Sequence, residues 1–286
     1  MTANPPNRLP EISANDASGD TLEIYRSIEA ALGVRLVNLV YRHLATVPGA
    51  LDWAWAVVGS GFSNGIFRQR SVPLIELAQK ASVDLAPTGG ISLTACGLTF
   101  EQSTAVIATL DAYNQANPMN ALSLRVISLA LSAGWCPPAS RVRIRNTEPL
   151  VELLPMGGLD QLDGETSGYM TQLAFFTTGE QSDLVPSLFR HFIPWPALLS
   201  ALCDWLRPLH EQNLVGDISD RISADADAIA RDIFGNLLAS DDVLAAPDQG
   251  TCDALTATIA QFLPAICRMI VIGGLLRSSV SHGRGE

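Results

Sequence analysis

Tyr41-Arg42-His43-Leu44, running on to Val47-Pro48-Gly49-Ala50-Leu51, has a counterpart later in the chain: Phe189-Arg190-His191-Phe192, running on to Trp195-Pro196-Ala197-Leu198-Leu199. The offset is constant, since 189 − 41 and 196 − 48 both give 148. A fixed interval between similar segments is the signature of a duplicated unit. It predicts two tandem helical repeats, and it says where a site belongs. Two similar halves packed face to face leave a cleft on their pseudo-twofold axis, where ligand pockets are favoured.

Helical punctuation extends outward from these segments. Ser18 or Asp20 can cap a helix carrying Leu22, Tyr25, Ile28 and Leu32 at three- and four-residue spacing, closed by Gly33. A second helix is expected from Leu36 to Thr46, a third from Pro48 to about Val58, and a fourth from Pro73 to Ala81. Glu101 to Tyr113 reads as helical, and Pro118 reads as the start of a further helix through Ala133. Trp135 to Glu165 is rich in Pro and Gly and reads as a linker. Beyond it Ser187 to Ile193 matches the second helix, Pro196 opens the counterpart of the third, and Ile218 to Leu237 and Thr251 to Leu276 complete the set. No region alternates apolar and polar residues for long. The fold class is therefore all-α: a first repeat at 15–134, a Pro/Gly-rich linker at 135–165 and a second repeat at 166–278, together forming a pseudo-symmetric, dimer-like body. Residues 1–14 are polar and Pro-rich, and read as a loose arm.

Composition narrows the function classes. A net charge of −11, with no Lys/Arg run, excludes a nucleic-acid partner on electrostatic grounds. Ile259 to Leu276 is the longest apolar stretch, but Gln261, Pro264 and Arg268 interrupt it, so a buried helix is expected and no membrane partner. Charged residues make up 16% of the chain against a norm of about 25%, which leaves apolar surface for a core or for a homo-oligomeric partner. Five scattered cysteines, odd in number and without a CxxC pair, read as reduced thiols of a cytoplasmic protein. His43 and His191 hold equivalent positions and could face each other as a proton-handling pair, with Arg42 and Arg190 suited to a carboxylate. Two histidines do not complete a zinc sphere, so neither a metal nor another cofactor is expected.

The order Tyr25-x-x-Ile28, Arg42-x-Leu44-Ala45-Thr46-x-Pro48-Gly49, Trp55, then Tyr113-Asn114-x-x-Asn117-Pro118, with Trp195-Pro196 in the second half, resembles the group I α-haloacid dehalogenase family. The resemblance implies an all-helical pseudo-dimer that hydrolyses 2-haloalkanoic acids in a pocket between the repeats. In that family an aspartate before Trp-Pro activates water, which attacks the halogen-bearing carbon directly, and an asparagine of the first unit holds the water. A carboxylate in an apolar pocket suits the task because desolvation raises its pKa.

Aligned on Trp195-Pro196, the family's aspartate falls on Leu188, its preceding serine on Ser187 and its asparagine on Asn114. Two aromatic wall positions become Leu36 and Leu39, a tyrosine of the last helix becomes Ile259, and Leu263 joins that wall. Ser182-Asp183 reproduces the serine–aspartate pair five residues too early, so Asp183 is a base only if the helix start is remodelled. Two readings stay open: a dehalogenase-like enzyme whose base is lost or relocated, and a non-catalytic binding protein. Both have a pocket for a small carboxylic acid.

Overall fold

A computed structural model describes residues 9–85, 89–139, 142–145, 149–160, 162–180, 182–237 and 243–281. Its helices in chain order are α1 (Gly19–Leu32), α2 (Leu39–Leu44), α3 (Ala50–Ser63), α4 (Ile66–Arg70), α5 (Val72–Leu85) and α6 (Phe100–Ala133), followed by α7 (Gly164–Thr178), α8 (Ser187–Arg190), α9 (Pro196–Glu211), α10 (Leu214–Gly235) and α11 (Gln249–Ser279). The only strand pairing among the described residues is a two-residue parallel contact, β1 (Ile91–Ser92) with β2 (Val280–Ser281). The molecule is all-α in substance.

The boundaries follow local chemistry. Thr99 caps α6 through a reciprocal capping box with Gln102, and the Asp248 side chain caps α11 by accepting from the Thr251 amide. Gly33, Gly134 and Gly179 take the left-handed conformation that ends α1, α6 and α8's predecessor α7. The second helix is shorter than expected: residues 36–38 stay outside it, and Asn38, in extended conformation, is its N-cap.

One expected boundary is wrong. Pro118 does not start a helix; it lies inside the 34-residue α6. A proline there has no N–H to donate to the carbonyl of residue 114, and that is costly. Packing outweighs the cost. From Asn117 to Ile127 every residue of α6 is buried, with α10 and α11 packed along it. A helix apolar on all sides is a central one. α11, the one described helix long and apolar enough to cross a membrane, also contains a proline, Pro264, and is mostly buried against α5, α6 and α10. Buried side chains from α1 through α11 form one continuous hydrophobic cluster.

The arm is the second correction. Residues 1–8 and parts of the 135–165 linker lie outside the described residues. Residues 9–12, however, are docked: the Ile12 amide donates to the Arg42 carbonyl at 3.0 Å, the Tyr25 hydroxyl donates to the Ile12 carbonyl at 2.9 Å, and His43 Nδ1 donates to the Pro10 carbonyl at 2.8 Å. Part of the linker docks too, through a bridge between Val151 and Val34.

Candidate functional site

Four elements converge on a cavity of about 50 Å³. The N-terminal side of α2 supplies Asn38, Leu39 and Val40; α6 supplies Tyr113, Asn117 and Asn120; α8 and its approach supply Leu184, Pro186, Ser187 and Leu188; α11 supplies Phe262, Ala265, Ile266 and Met269. Tyr113, Asn117 and Asn120 are spaced by four and three residues, which puts them on one face of α6. Most of the wall is aliphatic. None of its described lining residues is an aspartate, glutamate or histidine.

Its polar groups are unusual. Asn120 is fully buried, and neither its Nδ2 nor its Oδ1 has a partner in the protein. The Oδ1 of buried Asn38 is also without one. A buried amide without a partner in the protein costs on the order of 1–3 kcal/mol.

A hydrogen-bond chain runs away from the cavity. His191 Nδ1 contacts the Leu154 carbonyl, which can only accept, so Nδ1 carries the proton and Nε2 is free to accept. The Tyr113 hydroxyl, 3.1 Å from Nε2, then donates to it. Burial first, then the charges of Arg42 and Arg190, hold the His191 pKa down at about 4, against the pull of its bond to Leu154. This imidazole is neutral at physiological pH. Burial pushes the Tyr113 phenol up to about 12, against Arg42 and a hydrogen bond from Ser187. Ser187 Oγ also accepts from Arg42 Nη2 at 2.9 Å.

Behind this chain lies a buried ion cluster. Glu11 bridges the two arginines: Oε2 is 3.1 Å from Arg42 Nη2, and Oε1 is 2.9 Å from Arg190 Nη1. The side chains are 2% exposed for Glu11, 2% for Arg42 and 9% for Arg190. These arginines are therefore not open to a ligand, because the arm supplies their carboxylate. The two histidines separate as well. His43 bonds the arm at Pro10 and packs against Phe262 at 5.7 Å, whereas His191 bonds Leu154 and Tyr113. No group of three or more metal-ligating side chains forms among the described residues.

Of the residues singled out from the sequence, Leu39, Ser187 and Leu188 line the cavity. Leu36 and Ile259 are buried in the core outside its lining, and Leu263 packs partly buried against that core. Asp183 is exposed on a bend after Ser182, whose Oγ accepts from the Leu184 amide, and is not among the lining residues. Asn114 lies elsewhere. Its Nδ2 donates to the Gly273 carbonyl at 3.0 Å, tying α6 to α11, and it borders a separate cavity of about 540 Å³ between α5, α6 and α11. The reason is angular: each helical residue turns by about 100°, so Asn114 points away from the face of Tyr113, Asn117 and Asn120. The four-and-three spacing shows that these three share a face, but not that the face is turned to the cavity.

An all-helical body around a small, apolar, amide-bearing cavity is the class of protein that this fold and site define. Solved structures share the fold. The chain superposes with a TM-score of 0.72 on a D-2-haloacid dehalogenase in complex with L-LA, at 18% identity, covering 98% of this chain and 99% of that one. It superposes with a TM-score of 0.71 on a D-2-haloacid dehalogenase mutant in complex with D-2-CPA, again at 18% identity and covering 94% of both chains. At that identity the likeness establishes the fold. No protein-family model matches the sequence, and no curated protein matches it by sequence.

Proposed function

We propose that this chain is a small-molecule binding protein on a dehalogenase-like fold, whose central cavity takes a small carboxylic acid and lacks the base needed to hydrolyse a 2-haloacid. The observation that carries the reading is the cavity wall itself: Leu188 stands where the resemblance expects an aspartate, and no other described lining residue is an acid or an imidazole. Leucine cannot take a proton from water, and general-base catalysis typically contributes 10²–10⁴ in rate. The Asn120 Nδ2 donor, unpartnered in the protein, can bind a carboxylate oxygen, and the Oδ1 acceptors of Asn38 and Asn120 can hold a water beside it. Arg42 lies one hydrogen bond away through Ser187, so the cluster of two arginines and one glutamate, net charge +1, favours an acid anion over a neutral molecule. The volume limits the ligand to a few non-hydrogen atoms.

A second reading keeps chemistry in the cavity. Tyr113 lines it and is bonded to His191, so His191 can take a proton through that hydroxyl. A base held at about 4 is weak at neutral pH, and this favours the binding reading.

Calorimetric titration of acetate, propionate and lactate into the wild type and Asn120→Leu tests the proposal. The expected result is saturable binding to the wild type, weakened at least about tenfold in the variant, the scale on which a lost hydrogen bond to a charged group acts. Equal binding by both proteins, or none by the wild type, would refute it.

A further inference from the structure

We propose that Arg42 and Arg190 form a carboxylate receptor whose resident ligand is Glu11 of the protein's own arm. The two guanidinium groups sit 148 residues apart, on α2 and α8, and each places one N–H-bearing nitrogen on a different oxygen of the same carboxylate. A hydrogen bond from Arg190 Nη1 to Oε1 and an ion pair of Arg42 Nη2 with Oε2 hold the two oxygens, and arginine pairing is how proteins commonly recognise a carboxylic acid anion. Both arginines are fixed from behind. Arg42 reaches Ser187 at 2.9 Å and Met156 Sδ at 3.5 Å, and Arg190 Nε donates to the Gly157 carbonyl at 3.3 Å. The receptor is thus preorganised by the helical body and the linker.

Its occupant comes from neither. Glu11 belongs to a segment without helix or strand, held against the body by the backbone and side-chain contacts of Pro10 and Ile12. Without Glu11 two buried guanidinium charges would face each other with no anion between them, and burying an unpaired charge is among the costliest events in folding. The arm is accordingly a strap that delivers one carboxylate, and a free carboxylate of the right size can take its place.

The size is set by the side chain. Truncating Glu11 to alanine removes one methylene carbon and the carboxyl group, the atoms of acetate. The test is the thermal midpoint of full-length Glu11→Ala in sodium acetate against sodium chloride at equal ionic strength. The variant should melt on the order of 5–10 °C below wild type in chloride. Acetate should restore most of the loss with a saturable, millimolar dependence, a rise well beyond the one that binding in the central cavity gives the wild type. Adding Arg190→Ala to Glu11→Ala should abolish the recovery. Adding Asn120→Leu should leave it intact, which separates this receptor from the central cavity. If Glu11→Ala is recovered only as unfolded protein, refolding from urea in acetate, and not in chloride, is the expected outcome. Failure to refold in either salt, a response to acetate equal in the wild type, in Glu11→Ala and in Glu11→Ala with Arg190→Ala, or a Glu11→Ala variant as stable as wild type would overturn the proposal.

Discussion

Asn120 and His191 show how single residues are held away from their preferred state. Asn120 buries an amide with no protein partner, so its retention weakens the fold. Asn120→Leu should raise stability by about 1 kcal/mol in urea denaturation while weakening ligand binding; a loss of that size would mean the amide is tied into the native structure. His191 titrates at about 4 in the folded protein, below the ordinary histidine value of about 6.5. Between those values the unfolded chain takes up a proton that the folded one refuses. Its stabilising contribution is therefore complete above about pH 6.5 and is lost as pH falls toward 4, by an amount on the order of 3 kcal/mol. His191→Gln should flatten that part of the stability–pH profile, and an unchanged slope would show that the imidazole titrates normally. The positive charges of Arg42 and Arg190 act on His191 and oppose its protonation.

Among the elements, the capped ends were the most legible part of the sequence and the proline-containing interior the least. Thr99 and Gln102 fix the start of α6 by local hydrogen bonds, which short-range sequence encodes. Thr99→Ala should cost about 1 kcal/mol by chemical denaturation, and a neutral effect would show that tertiary packing alone sets that boundary. Pro118 misleads for the opposite reason: its local cost is visible in the sequence, whereas the burial that offsets it comes from α10 and α11, far along the chain. The same limit applies to the site. Leu188 and Ser187 could be placed by spacing from Trp195-Pro196, but choosing Asn120 over Asn114 required the face that α6 turns to the cavity. The arm carried no periodicity at all, so the pairing of Glu11 with Arg42 and Arg190, 31 and 179 residues away, had no sequence signal.

For the whole molecule, the 148-residue interval leads us to infer that residues 20–134 and 166–276 are two copies of one unit. The long helices α6 and α11, each capped at its start and each with an internal proline, are in keeping with that duplication. They also pack against each other, and α10 and α11 of the second half cover α6 and α5 of the first. The core is accordingly shared, and neither half keeps its buried surface alone. Thermal unfolding should be one cooperative transition with matching calorimetric and van't Hoff enthalpies. Two resolved transitions would show that the halves are independent domains.

Halide release from both enantiomers of 2-chloropropionate, measured for the wild type beside Leu188→Asp, tests the central claim most directly. No release above background is expected from the wild type, and a weak, measurable rate from Leu188→Asp. There the new carboxylate faces an apolar wall that raises its pKa and costs stability. Release by the wild type at ordinary enzyme rates, abolished by His191→Gln or Asp183→Asn, would contradict the account and identify the base that the cavity wall does not contain.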